Sequence, residues 1–304
     1  MEQKTSAPSG HANGSADPSA PAQSGVGTTG HSWDGIEELN NPLPRWWLWT
    51  FYACIVWAVG YWFVYPAIPL VSSYTKGFLG WQSRAQIEVD MAELKAMRSG
   101  MTTKIEATEL ADIEKNPELL SFARAQGSAA FAVNCAPCHG AGAQGFKGYP
   151  NLNDDDWIWG GKAEDILTTI KHGVRWEQDS NTRSGVMPSF GRDGILNRKE
   201  IATVADYVLS LSGLAVDKGA DLAAGKTLYA ANCAACHGDA GAGNQEMGAP
   251  NLSDKVWLYG SDKAAIMERI TLGGGGVMPA WSNRLDAATM KSLAVYVHTL
   301  GGGK

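Results

Sequence analysis

Positive charge is what this chain is short of. Its 304 residues hold 25 Lys and Arg against 31 Asp and Glu, a formal net charge of -6. A nucleic-acid partner would require a basic footprint that this balance does not provide. Cysteine is also scarce: there are five, and four of them sit in two identical spacings, which is no disulfide framework. The sequence offers no paired nucleophile and base that would announce an enzyme of its own. Residues 1–32 have almost no large apolar side chain, so that stretch cannot offset its ordering entropy and reads as a disordered tail. The chain is too short for a large multi-pass transporter, but it has room for two ordinary domains.

Aromatic residues are present and unevenly placed. Five of the 12 Trp fall between Trp46 and Trp62, inside the uncharged 20-residue run WWLWTFYACIVWAVGYWFVY at 46–65. At about 1.5 Å per residue such a helix spans about 30 Å, the thickness of a bilayer's hydrocarbon core. Tryptophan and tyrosine crowd both of its ends, as interfacial anchors do. A cleaved signal peptide would have a shorter apolar run after a basic start; here only Lys4 and Arg45 precede it, against five acids. A permanent single anchor is expected, with a juxtamembrane segment at 33–45 before it. Beyond it, 66–122 reads as a stalk or linker. Ile87, Met91 and Leu94 form a helical stripe there, with breaks at Gly100 and at Asn116-Pro117.

The remainder is an internal repeat. Asn134-Cys135-Ala136-Pro137-Cys138-His139-Gly140 returns as Asn232-Cys233-Ala234-Ala235-Cys236-His237-Gly238. Pro150-Asn151-Leu152 returns as Pro250-Asn251-Leu252, Trp157 as Trp257, Val186-Met187-Pro188 as Val277-Met278-Pro279, and Tyr207-Val208 as Tyr296-Val297. The order is the same in both copies, which sets two homologous modules at 123–213 and 218–304. The first carries extra residues within Val174–Gly185.

Cys-x-x-Cys-His is the pattern of covalent c-type haem attachment: two thiols on one helical turn for the vinyl groups, then a histidine for the iron. A zinc ribbon would bring its second Cys pair some 15–20 residues on, and a thiol redox pair does not require the histidine. Two haem c groups are therefore expected, on Cys135 and Cys138 and on Cys233 and Cys236, with His139 and His237 as axial ligands. A Met sixth ligand suits electron transfer because it raises the reduction potential. Met187 and Met278 match through the repeat and are each followed by Pro; His172 aligns with Leu272 and His298 with Leu209. Whether each Met serves its own module's haem or its neighbour's stays open at this stage. The Pro150 and Pro250 carbonyls are candidate acceptors for the second N–H of each histidine, and Trp157 and Trp257 candidates to border the haem propionates. Gly127 and Gly225, each four residues before an aromatic, suit close helix crossings with the helices of Tyr207 and Tyr296.

Each module resembles a class I cytochrome c domain. From Asn41-Pro42-Leu43-Pro44-Arg45-Trp46-Trp47 through Thr75-Lys76-Gly77-Phe78-Leu79-Gly80 to both modules, the chain is similar to the di-haem subunit III of cbb3-type cytochrome c oxidases. The resemblance implies an all-α chain with one transmembrane helix and two tandem cytochrome c domains. It also implies a non-catalytic electron-transfer subunit in the bacterial inner membrane, with the N-terminus cytoplasmic and the haem domains periplasmic. Its expected partners are a donor cytochrome c, a mono-haem cytochrome subunit, and the catalytic haem–copper subunit that reduces oxygen. A di-haem peroxidase and a cytochrome subunit of another periplasmic dehydrogenase are the alternatives.

Overall fold

The structure is a computed structural model that describes residues 27–302, in two compact units divided after Met91. Most of the tail expected over 1–32 therefore lies outside the described residues. From Thr28 the chain is ordered otherwise than expected: strands β1 (Thr28–Trp33) and β2 (Ile36–Leu39) form an antiparallel hairpin. Its turn is Asp34-Gly35, both with positive φ (52° and 82°). That dipeptide favours a two-residue hairpin turn, a signal available in the sequence. Helix α1 (Arg45–Val64) follows and is long and apolar enough to cross a membrane, one residue out of step with the expected run.

Helix α2 (Ser83–Ala107) runs unbroken through Gly100. A helical glycine costs only about 1 kcal/mol relative to alanine, and here its neighbours carry the helix past it. After α2 come α3 (Leu110–Lys115) and α4 (Pro117–Asn134). The Asn116 side chain accepts from the backbone N–H groups of Glu118 (3.0 Å) and Leu119 (3.2 Å), with Pro117 pre-set in the first turn. The break expected at Asn116-Pro117 is thus a helix start. The far end of the expected stalk is no solvated spacer, because Ile105, Leu110, Ile113 and Leu119 are buried in a hydrophobic core.

The remaining elements repeat. Cys-x-x-Cys-His forms the single turn α5 (Ala136–His139), followed by α6 (Ala163–His172) and α7 (Arg198–Leu211). The second copy gives α8 (Leu222–Asn232), α9 (Ala234–His237), α10 (Lys263–Leu272) and α11 (Ala287–His298). They assemble into two lobes that are not the two repeats. Helix α11 packs on α4, α6 and α3, around Phe131, Ile166, Ile170 and Leu293. Helix α7 packs on α8 and α10, around Val204, Val208, Tyr229, Ile266 and Ile270. The repeats at 123–213 and 218–304 therefore each give their closing helix to the other's lobe, and the second lobe is inserted, in chain order, between the two parts of the first.

Local physics accounts for the exchange. Only residues 212–221 join α7 to α8, and short connections pair consecutive helices. Each lobe's crossing is over a glycine: a Cβ at Gly127 would strike the Ser292 carbonyl and lie 2.6 Å from Tyr296 Cβ, and one at Gly225 would lie 2.7 Å from Tyr207 Cβ. Phe131 then meets Tyr296 at 5.5 Å between ring centroids, and Tyr229 meets Tyr207 at 5.3 Å. The close crossings read from the spacing are present, each with a helix of the opposite repeat. Lys291 Nζ donates to the carbonyls of Glu106 and Thr108, both at 2.7 Å, and fastens α11 to the start of the first lobe.

Candidate functional site

The two Cys-x-x-Cys-His turns start where α4 and α8 end. Cys135 and Cys233 cap those helices through their backbone N–H groups, and the four-residue turns carry Cys138, His139, Cys236 and His237. The four thiols are unpaired. Burial, and then the neighbouring thiol, push Cys135 and Cys233 up to about 11. A thiol redox pair needs the opposite, a depressed thiol pKa. Among the described residues no three His, Cys, Asp or Glu side chains converge as a metal ligand set.

Each histidine is oriented as its motif requires. His139 Nδ1 lies 2.9 Å from the Pro150 carbonyl and His237 Nδ1 lies 2.9 Å from the Pro250 carbonyl. This fixes the tautomer with the proton on Nδ1 and leaves Nε2 as a free lone pair, the donor an iron takes. Burial lowers both imidazole pKa values, offset in part by those backbone bonds, which keeps the rings neutral. Leu152 packs against the core of the first lobe, as Cys135 does, and Leu252 against that of the second, as Cys233 does.

The two methionines cross over. Met278 packs in the first lobe, with Cys135, Leu152 and Trp157. Met187 packs in the second, with Cys233, Leu252 and Trp257. Paired backbone bonds hold the crossing: Val174 N donates to the Met278 carbonyl (2.9 Å), Met278 N to the Val174 carbonyl (3.0 Å), and Gly274 N to the Met187 carbonyl (2.7 Å). The chain reaches these bridges through Gly173 and Gly273, whose positive φ (68° and 61°) and lack of a Cβ let the opposite segment's carbonyl lie against them. The spare histidines face carboxylates instead: His172 Nδ1 is 3.0 Å from Asp179 Oδ2, and His298 Nδ1 is 2.7 Å from Glu114 Oε1.

The two tryptophans differ. Trp157 Nε1 donates to the Gly302 carbonyl (2.5 Å). Trp257 Nε1 is buried and has no protein acceptor. One feature escaped the sequence reading. Trp159 and its repeat mate Tyr259 are each covered by a guanidinium, Arg183 at 5.5 Å and Arg269 at 3.7 Å from the ring centroid. Arg269 comes from α10, where the first repeat has Thr169; Arg183 comes from the inserted Val174–Gly185 segment and donates to Thr169 Oγ1 at 2.8 Å. The insertion thus restores a guanidinium that α6 lacks. Its Arg175 also turns inward, to the carbonyls of Gly276 (2.7 Å) and Gly185 (2.6 Å). The repeat offset of Trp159 and Tyr259 was the signal that marked this pair.

Comparison with known proteins matches three stretches of the chain. Residues 25–72 match the N-terminal domain of cytochrome oxidase-cbb3, FixP; 124–212 match cytochrome c; and 220–297 match cytochrome c oxidase, cbb3-type, subunit III. The cbb3-type cytochrome c oxidase subunit FixP of Bradyrhizobium diazoefficiens is 58% identical over 281 residues, covering 92% of this chain and 97% of the relative. The chain belongs to the FixP/CcoP family. The CcoP subunits of Azospirillum brasilense (55% identical, 93% and 98% of the two chains) and Cereibacter sphaeroides (50%, 91% and 95%) are similar over the same extent. As a FixP/CcoP chain it is an electron-transfer subunit of a cbb3-type oxidase, with cytochrome c domains that bind haem c. The residues present fit that group: unpaired thiols, imidazoles with a free Nε2, a methionine packed in each lobe, and an unpaired buried donor at Trp257.

Proposed function

We propose that the chain carries two covalent haem c groups, one per lobe, each with an axial pair drawn from both repeats. Cys135 and Cys138 would tether the first haem, with His139 and Met278 on its iron. Cys233 and Cys236 would tether the second, with His237 and Met187. The carrying observation is that each methionine packs against the core of the lobe that holds the other repeat's Cys-x-x-Cys-His turn. When bound, the haem iron supplies a reversible one-electron couple, and methionine ligation sets it at a high potential.

The protein's own residues then do three things. The Pro150 and Pro250 carbonyls hold the imidazoles in place. The bridges at Val174 and Gly274 hold the methionine segments. The buried Trp257 donor is available to a haem carboxylate. With a histidine and a methionine to hold each iron, the chain would be a carrier and not itself a catalyst. It passes electrons from a donor cytochrome c to a mono-haem subunit and on to the haem–copper subunit. Helix α1 anchors it in the bacterial inner membrane, with the N-terminus cytoplasmic and the lobes periplasmic.

The test is haem content and turnover in the purified oxidase. Two haem c per copy of this chain, both oxidised when the anaerobically reduced complex meets oxygen, are expected. The isolated holoprotein should not turn over hydrogen peroxide. Peroxide turnover by the isolated chain would favour the di-haem peroxidase reading.

A further inference from the structure

The segment after α1 does not leave the end of that helix; it folds back on it. Phe78 N donates to the Phe63 carbonyl (2.8 Å) and Leu79 N to the Val64 carbonyl (3.1 Å), so two of the helix's orphan C-terminal carbonyls are satisfied by the chain's own return. Trp81 closes the loop against Tyr65 (6.1 Å between centroids, 75°), which itself stacks on Tyr61 (4.6 Å). Within the loop, Pro69 and Tyr74 form a bridge, Leu70 N donates to the Ser73 carbonyl (2.7 Å) and Thr75 N to the Ile68 carbonyl (3.0 Å). Thr75 Oγ1 accepts from Ile68 N at 3.0 Å. The loop is a closed Ω-shaped element with much of its backbone bonded internally.

Its side chains point the other way. Val71 at the tip is fully exposed, Phe78 is 89% exposed, and Ile68, Leu70 and Leu79 are exposed as well. No acidic residue occurs from Leu39 to Ile87, and Lys76 is the loop's only charge. An apolar tip, internally bonded backbone, aromatic closure and a single lysine are what the boundary of a bilayer accepts. Water would leave this apolar surface unpaid for, and the loop is continuous with the end of the helix assigned to the membrane.

We propose that residues 66–81 form an interfacial membrane loop, with Leu70 and Val71 inserted among the lipid chains beside the end of α1. The occupant of this apolar face is lipid, and the proposal rests on the reading of α1 as a membrane span.

The experiment uses the full-length holoprotein, in which the four motif cysteines are held by haem, in a Cys54→Ser background. Single spin labels at Val71→Cys, at Trp57→Cys inside α1 and at Lys199→Cys on an exposed surface are compared. Collision with oxygen and with a soluble nickel chelate is measured in phosphatidylcholine–phosphatidylglycerol vesicles and again in the assembled oxidase. The Val71 label should favour oxygen over nickel, as the Trp57 label does, in both preparations. Nickel access at Val71 equal to that at Lys199, with Trp57 still protected, would overturn the loop proposal alone. Nickel access at Trp57 would overturn the membrane reading of α1 and the loop with it. Exposure of Val71 in vesicles with protection from both reagents in the oxidase would overturn the lipid assignment in favour of a protein partner.

Discussion

Val174 and Met278 exchange both of their backbone hydrogen bonds, at 2.9 Å and 3.0 Å, although 104 positions separate them. That bridge brings the second repeat's methionine to the lobe of the first repeat's cysteines. Its counterpart between Gly274 and Met187 does the same in reverse. Neither lobe therefore draws this methionine from the repeat that supplies its Cys-x-x-Cys-His turn.

The ligand crossing gives the first prediction. In a variant that keeps only the first haem (Cys233→Ala with Cys236→Ala), Met278→His should abolish the methionine–iron absorption band and lower the potential. Met187→His in the same background should leave both unchanged. Visible spectroscopy with redox titration reads the result, and the reverse outcome would assign each methionine to its own repeat.

Two glycines give the second. Gly127 lies where α4 crosses α11, and a Cβ there meets the Ser292 carbonyl and Tyr296. Gly127→Ala should destabilise the holoprotein by about 1–3 kcal/mol, the usual cost of overpacking. Gly100, inside α2 with nothing within 4 Å of an added Cβ, should tolerate alanine and gain up to about 1 kcal/mol. Thermal unfolding followed in the Soret region compares the two, and equal effects would contradict the crossing.

Much of this was legible in the sequence for a physical reason: attachment motifs, an uncharged helical run and an internal repeat are local patterns. The Pro150 and Pro250 acceptors lie 11 and 13 residues after their histidines, at the same place in both repeats, so the repeat itself pointed to them. The exchange of α7 and α11 was not legible, because Gly127 and Gly225 advertise a close crossing without saying which helix crosses. Two identical partners fit the spacing equally, and only the short α7–α8 connection and the return of α11 decide. The burial of Leu110 and Ile113 was missed similarly: a six-residue helix shows too little periodicity to announce a core face.

The third prediction concerns a charge cluster found only in the second lobe. Asp206 is 5% exposed, and Lys263 Nζ bonds its Oδ2 at 2.7 Å and Asp217 Oδ2 at 2.6 Å. Asp206 Oδ1 has no further partner. Lys263→Ala would strand a buried carboxylate and should cost about 3–5 kcal/mol. Adding Asp206→Asn should recover a large part of that loss, since the stranded charge disappears. Denaturant unfolding of the two variants measures it; no recovery in the double variant would mean that packing by Lys263, and not charge, holds the site.

The last prediction is one of pH. Asp156 lines a cleft of about 340 Å³ with Gln144, Pro150 and Asp154 on one side and Val256 and Trp257 on the other. Burial, and then the nearby Asp254 and Asp154 carboxylates, raise its pKa from 3.8 to about 6. The folded protein thus holds this proton more tightly than the unfolded chain does. Below about pH 4 both states are protonated and the group is neutral to stability. Between about pH 4 and 6 the unfolded chain releases its proton first, so stability falls as pH rises, and above about pH 6 the penalty is constant. A shift of this size corresponds to at most about 3 kcal/mol, which solvent around a half-exposed carboxyl reduces to about 1 kcal/mol. Asp156→Asn should therefore stabilise the holoprotein by about that amount at neutral pH and by nothing at about pH 4. Denaturant titrations of variant and parent at both pH values decide it. A difference that is the same at both would mean that the Asp156 carboxyl does not titrate in this window and that its neighbours do not disfavour its charge.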